Sequence, residues 1–150
     1  MRLLLILALV AATVAPAAAV SLPMANGYGA IDAPRDTDPL TLGKLFCAAR
    51  IAGDMSPVEP YLADKLVRRL AERPANTPVP WQGFADRPQR CDARVLGADD
   101  IIGVLVEVTY QAGTRRWADT LNLERTPASW RLNNVFYAGG GNLRFRLLEQ

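Results

Sequence analysis

From residue 101 to 137 apolar and polar residues alternate with few interruptions, through IIGVLVEVTYQ, RRWADTLNLER and WRLNNVFY. A period of two marks a strand buried on one face, and it restricts the fold of this chain more than any other feature. If Ala112 to Arg115 form a hairpin loop, Tyr110 opposes Trp117, Val108 opposes Asp119, Val106 opposes Leu121 and Val104 opposes Leu123. If Thr126 to Ser129 form the next, Leu123 opposes Leu132, Leu121 opposes Asn134 and Asp119 opposes Phe136, with Glu124 against Arg131 on the other face. Both registers gather apolar side chains on one face, as antiparallel pairing requires. The expected product is a three-strand meander with Trp130, Leu132, Asn134 and Phe136 turned inward. CDARVLG reads as a short preceding strand, and Asp99-Asp100 as a turn rather than a cation site, because adjacent aspartates lack the further oxygen ligands a cation needs.

Two helices are expected upstream. In TDPLTLGKLFCAARIAGD, Asp38 is an N-cap, Pro39 opens the first turn, and Leu42, Leu45, Phe46 and Ala49 recur at helical spacing before Gly53. In SPVEPYLADKLVRRLAERP, Ser56 and Glu59 have capping-box spacing, Pro57 takes the first helical position, and Val58, Leu62, Leu66 and Leu70 form a stripe. Residues 76–89 carry Pro78, Pro80, Trp81, Gly83 and Pro88, a long connection that Trp81 and Phe84 should pin by burial. The glycines at 139–141 precede Asn142, Leu143 and Arg144, not the Lys-Ser or Lys-Thr pair of a phosphate-binding loop. They are expected to let the chain bend off the sheet so that Leu143 and Leu147 pack beside it.

The compartment follows from the N-terminus and the cysteines. Arg2, an apolar run from Leu3 to Val14, and small residues with an A-x-A pattern at Ala17 and Ala19 read as a signal peptide over residues 1–19. Residues 20–35 read as a flexible lead-in and 36–150 as one exported domain, periplasmic or secreted. The apolar run is shorter than the roughly 20 residues that span a bilayer, so no integral membrane segment is expected. The net charge is +2 with no histidine, a balance that argues against a nucleic-acid partner. Cys47 and Cys91 are the only cysteines, and in an oxidising compartment their simplest use is one disulfide, two buried thiols being the alternative.

Helices followed by a meander with one apolar face give an α+β fold in which N-terminal helices pack on a curved antiparallel sheet. The order YLADKLVRRL, a loop bearing Trp81, a cysteine-led strand, a long strand and a final WRLNNVFYAGG resembles the NTF2-like (cystatin-type α+β cone) superfamily. More narrowly it is similar to small exported bacterial domains of the DUF3828 type, whose function is unknown. The resemblance covers roughly Pro39 to Leu148, and its most specific piece is W-R-L-x-x-V-x-Y at Trp130 to Tyr137. It implies a cone-like fold that hosts enzymes, binders and scaffolds alike.

Without histidine, Ser-His-Asp and Cys-His catalysis are excluded, along with the usual imidazole acid and base. Asp119 is the one carboxylate on the expected inner face, with Tyr110 and Asn134 on its diagonals. Desolvated there, it is a candidate general base, and Tyr110 or Asn134 a candidate oxyanion donor. The primary expectation is nonetheless a non-catalytic exported module that binds a small apolar ligand in the cone or a protein partner on the sheet, a second copy included. The alternative is a proton-transfer isomerase, cyclase or dehydratase acting through Asp119. No cofactor and no metal site is expected.

Overall fold

The computed structural model describes residues 37–99 and 103–149. The residues expected to form a signal peptide (1–19) and a lead-in (20–35), and residues 100–102, lie outside them. The elements run α1 (Pro39–Ala52), a 3-10 turn (Glu59–Tyr61), α2 (Asp64–Ala71), β1 (Arg90–Asp99), β2 (Gly103–Ala112), β3 (Arg115–Arg125), β4 (Trp130–Phe136) and α3 (Leu143–Arg146). The strands form one antiparallel sheet in the order β1-β2-β3-β4, so the fold is α+β.

α1 begins and ends where its residues dictate. The Asp38 carboxylate accepts the Thr41 N–H at 3.0 Å, Pro39 supplies a helical φ without needing a donor, and Gly53 stops the helix at φ 75°. Its buried face, Leu42, Phe46, Cys47 and Ala49, lies against β1 and β2. Gly43 faces the sheet so closely that a Cβ would sit 2.7 Å from Val106 Cγ1 and 3.0 Å from Ala93 Cβ. One turn further on, Cys47 forms a disulfide with Cys91 of β1 across a Cα separation of 5.3 Å. Helix and sheet are therefore joined covalently one turn from this close contact.

The expected second helix is two pieces. Pro60 has no N–H and cannot occupy a helix interior, so residues 59–61 make only a 3-10 turn. Leu62 then pairs with Leu132 in a parallel bridge, and the Ala63 N–H donates to the Leu132 carbonyl at 2.9 Å. α2 starts after that contact. Ser56 does not form the capping box, because its N–H and hydroxyl are taken by the Asp54 carboxylate, each at 3.0 Å. The stripe survives the break: Val58, Leu62, Leu66 and Leu70 are all buried.

The first hairpin has the expected register, with Tyr110 opposite Trp117, Val108 opposite Asp119, Val106 opposite Leu121 and Val104 opposite Leu123. The second keeps Leu123 against Leu132 and Glu124 against Arg131, then departs from expectation. Asn122 pairs with Asn134, Leu121 with Val135 and Thr120 with Phe136. One extra residue on β4, Asn133, makes a bulge and reverses the facing of everything after it. Its amide donates to Asn122 Oδ1 at 2.9 Å. The inward residue is consequently Val135, and Phe136 is 43% exposed. The expected pairings of Leu121 with Asn134 and of Asp119 with Phe136 do not occur, since an unbroken period of two cannot register an inserted residue.

Beyond β4, Gly140 and Gly141 take φ 88° and 79°, the left-handed conformation that bends the chain off the sheet. α3 follows, capped by the Asn142 side chain on the Phe145 N–H at 3.0 Å, and buries Leu143 and Leu147 as expected. Among the described residues no helix is long and apolar enough to cross a membrane.

Two outcomes follow. A Cβ at Gly43 has no room against the Val106 side chain, so Gly43→Ala is expected to cost about 1–3 kcal/mol in urea unfolding; an unchanged midpoint contradicts the close packing. Cys47 and Cys91 lie 44 residues apart. Replacing both by Ser is expected to lower stability by at most about 4 kcal/mol, through the released loop entropy.

Candidate functional site

Period two places Asp119 on the inner face of β3, between Trp117 and Leu121 and opposite Val108. It is 1% exposed. A carboxylate this buried needs donors, and two backbone groups outside the strand ladders provide them. The Gly83 N–H donates to Oδ2 at 2.9 Å, and the Ala138 N–H, just past β4, donates to Oδ1 at 3.0 Å. Burial raises the pKa of Asp119, while the two N–H groups and the nearby Arg50 cation hold it down. The anion suits its donors and the surroundings disfavour it, so the site is an electrostatic balance.

The long connection therefore acts as a strap across the end of the sheet. At position 83 a Cβ would stand 3.1 Å from Asp119 Oδ1 and 3.0 Å from the Tyr137 Cβ, which is why glycine lies there. Trp81 is buried edge-on to Phe46, with ring centroids 6.4 Å apart. Phe84 meets Trp117 edge-on at 5.6 Å but stays partly exposed. The Tyr137 hydroxyl donates to the Pro80 carbonyl. On the helix side, Arg87 donates to the Ile51 carbonyl at 2.9 Å and to the Ala52 carbonyl, capping the end of α1. Gln82 accepts from Arg50 Nε at 3.0 Å and donates to the Phe84 and Asp86 carbonyls at 2.6 and 2.5 Å.

The three residues singled out from sequence part company here. Tyr110 is fully buried beside Trp117, with ring centroids 5.2 Å apart. Among the described residues neither the Tyr110 hydroxyl nor Trp117 Nε1 has a hydrogen-bond partner. Burial raises the Tyr110 pKa, the Asp119 charge adds to that, and Arg50 opposes it. Tyr110 and Asp119 thus share one electrostatic environment. Asn134 does not join them: its side-chain oxygen accepts the Val135 N–H at 3.0 Å and the Arg144 N–H at 3.1 Å, tying α3 to β4. Arg94, a conceivable partner for Asp119, pairs with Glu107 at 2.7 Å instead.

The residues missed from sequence are Arg50, Gln82, Gly83, Tyr137 and Arg146. A basic residue in the last turn of a helix reads as ordinary capping, and backbone donors leave no trace in composition. Arg50, Gln82, Gly83 and Arg146 line an open cleft of about 340 Å³ outside the strap, together with Val79, Pro80 and Phe84 among others. No carboxylate lines it. Arg50 uses Nε on Gln82 and makes no other hydrogen bond among the described residues. Burial lowers its pKa, while Tyr110 and Asp119 act to raise it. Arg146 lies over the Tyr137 ring at 5.0 Å. The described residues contain no group of metal-ligating side chains.

The chain matches no family model, and no curated protein or solved structure matches it significantly.

Because burial raises the Asp119 pKa above its ordinary 3.8, the folded state holds this proton more tightly than the unfolded chain. Its contribution to stability is therefore fullest below about pH 3.8 and declines as pH rises through the raised pKa. Asp119→Asn is expected to remove that decline. It should also cost about 1–3 kcal/mol, since one amide group turns an N–H toward a backbone donor. Urea midpoints over a pH series check both, and parallel pH profiles for the two proteins contradict the assignment.

Proposed function

We propose that this protein is an exported, non-catalytic binding module of NTF2-like architecture whose ligand sits in the cleft outside the strap. The ligand is a small molecule with an anionic head, such as a carboxylate, and an apolar body. The observation that carries this reading is a cleft with two guanidinium groups and no carboxylate, beside the apolar walls of Val79, Pro80 and Phe84. Small-molecule sites combine an apolar lining with a few converging polar groups in this way. Arg50 has unused donors in a fork suited to a carboxylate. The inner face of the sheet supports a ligand less well, since Val106, Val108, Leu121, Leu123 and Val135 are closed over by the helices. Export is supported by the signal-like N-terminus and by the disulfide, which suits an oxidising compartment. The NTF2-like reading is supported by the α+β order and by the W-R-L-x-x-V-x-Y stretch.

A second reading, proton transfer by Asp119 with Tyr110 as donor, is favoured by one observation, the raised pKa of a carboxylate beside a phenol with no partner. Against it, each oxygen of Asp119 already accepts a backbone N–H.

Titration with a phenylalkanoate and its neutral amide, followed by backbone NMR, tests the binding reading. The carboxylate is expected to shift the Gly83 and Phe84 amides and to bind about tenfold or more tighter than the amide, as charge-assisted hydrogen bonds imply. Arg50→Gln should erase that preference. Equal affinities, or shifts confined to other residues, contradict it.

A further inference from the structure

On another face, two shallow depressions share Arg69 and Arg144 and so form one continuous surface. One, about 270 Å³, is lined by Lys65, Arg68, Arg69 and Arg144 with a single carboxylate, Glu72. That carboxylate is held by Arg69 at 2.9 Å. Four cations and one carboxylate give this surface +3, more than the +2 net charge of the whole chain. The adjoining depression, about 290 Å³, is flanked by Phe145 and Leu148, which are 56% and 57% exposed. These two are joined through one helical turn, the Leu148 N–H donating to the Phe145 carbonyl at 2.9 Å. Leu143 and Leu147 are buried on the other side of the same segment. The segment 143–148 therefore carries apolar residues on both sides, although only Leu143 and Leu147 are buried.

We infer that this face docks on an anionic lipid surface. Headgroup phosphates lie among Lys65, Arg68, Arg69 and Arg144, while Phe145 and Leu148 enter the boundary between headgroups and acyl chains. An aromatic and an aliphatic anchor bordered by cations is the composition by which a peripheral protein holds an anionic membrane. A second copy of the chain is a poor occupant, because a two-fold contact sets these cations against one another. An acidic peptide has little to follow. The β4 edge is already bridged by Leu62 at Leu132 and by Asn142 at Phe136, which blocks strand addition. The depressions themselves are lined mainly by charged and polar side chains, unlike an apolar groove for a helix.

Co-sedimentation of the full chain, as recovered after export, with phosphatidylglycerol vesicles and with phosphatidylcholine vesicles tests the inference. Binding is expected to phosphatidylglycerol alone and to fall steeply with salt. Arg68→Glu with Arg144→Glu should weaken it at least about tenfold. Phe145→Ser with Leu148→Ser should weaken it at fixed charge, while both double variants keep phenylalkanoate binding in the cleft, which shows them folded and separates this surface from that site. Equal sedimentation with both lipids, binding indifferent to all four substitutions, or saturable binding of inorganic phosphate or polyglutamate without vesicle binding would overturn the inference.

Discussion

One buried carboxylate on β3 answers two backbone donors that no strand pairs, and the architecture at that end of the sheet depends on it. Asp119 joins three segments, β3, Gly83 in the strap and Ala138 after β4, through a single side chain. An anion at 1% exposure is costly in isolation. Two N–H groups at 2.9 and 3.0 Å and the nearby Arg50 guanidinium offset that cost, and the carboxylate in turn satisfies both amides. Removing either the acid or its donors leaves the other stranded, so the site acts as one unit.

The binding reading grows from the same unit. Held by Asp119 beneath it, by Trp81 against Phe46 and by Gln82 on Arg50, the strap forms the wall of the cleft and fixes the nearer of its two cations. A preorganised cation on a rigid wall loses little freedom when an anionic group arrives. The basic face of α2 and α3 lies apart from this cleft, although Arg146 and Arg144 reach the two sites from the same short helix. A module that meets a membrane with one face and takes an amphipathic small molecule beside it would be suited to ligands that partition into lipid.

The fold was largely legible in sequence where a pattern repeated, and opaque where a single residue broke it. α1 was readable because cap, proline, stripe and stop agree, and the first hairpin because four inward pairs support one register. The second hairpin failed at Asn133: a bulge leaves the residues before it in phase and inverts those after it, so Leu132 was placed correctly and Phe136 was not. Pro60 announced the break in the second helix, yet the stripe through Leu62 and Leu66 ran across it and hid the signal. Asp119 stood out as the lone inward acid. Its partners did not, because two are backbone amides and the third is an arginine at an ordinary helix end.

The most direct test of this account is the carboxyl ¹³C titration of Asp119, recorded together with the amide shifts of Gly83 and Ala138. All three should titrate as one event, at a pKa above the ordinary 3.8. An ordinary aspartate titration, with the two amides unmoved, would contradict it.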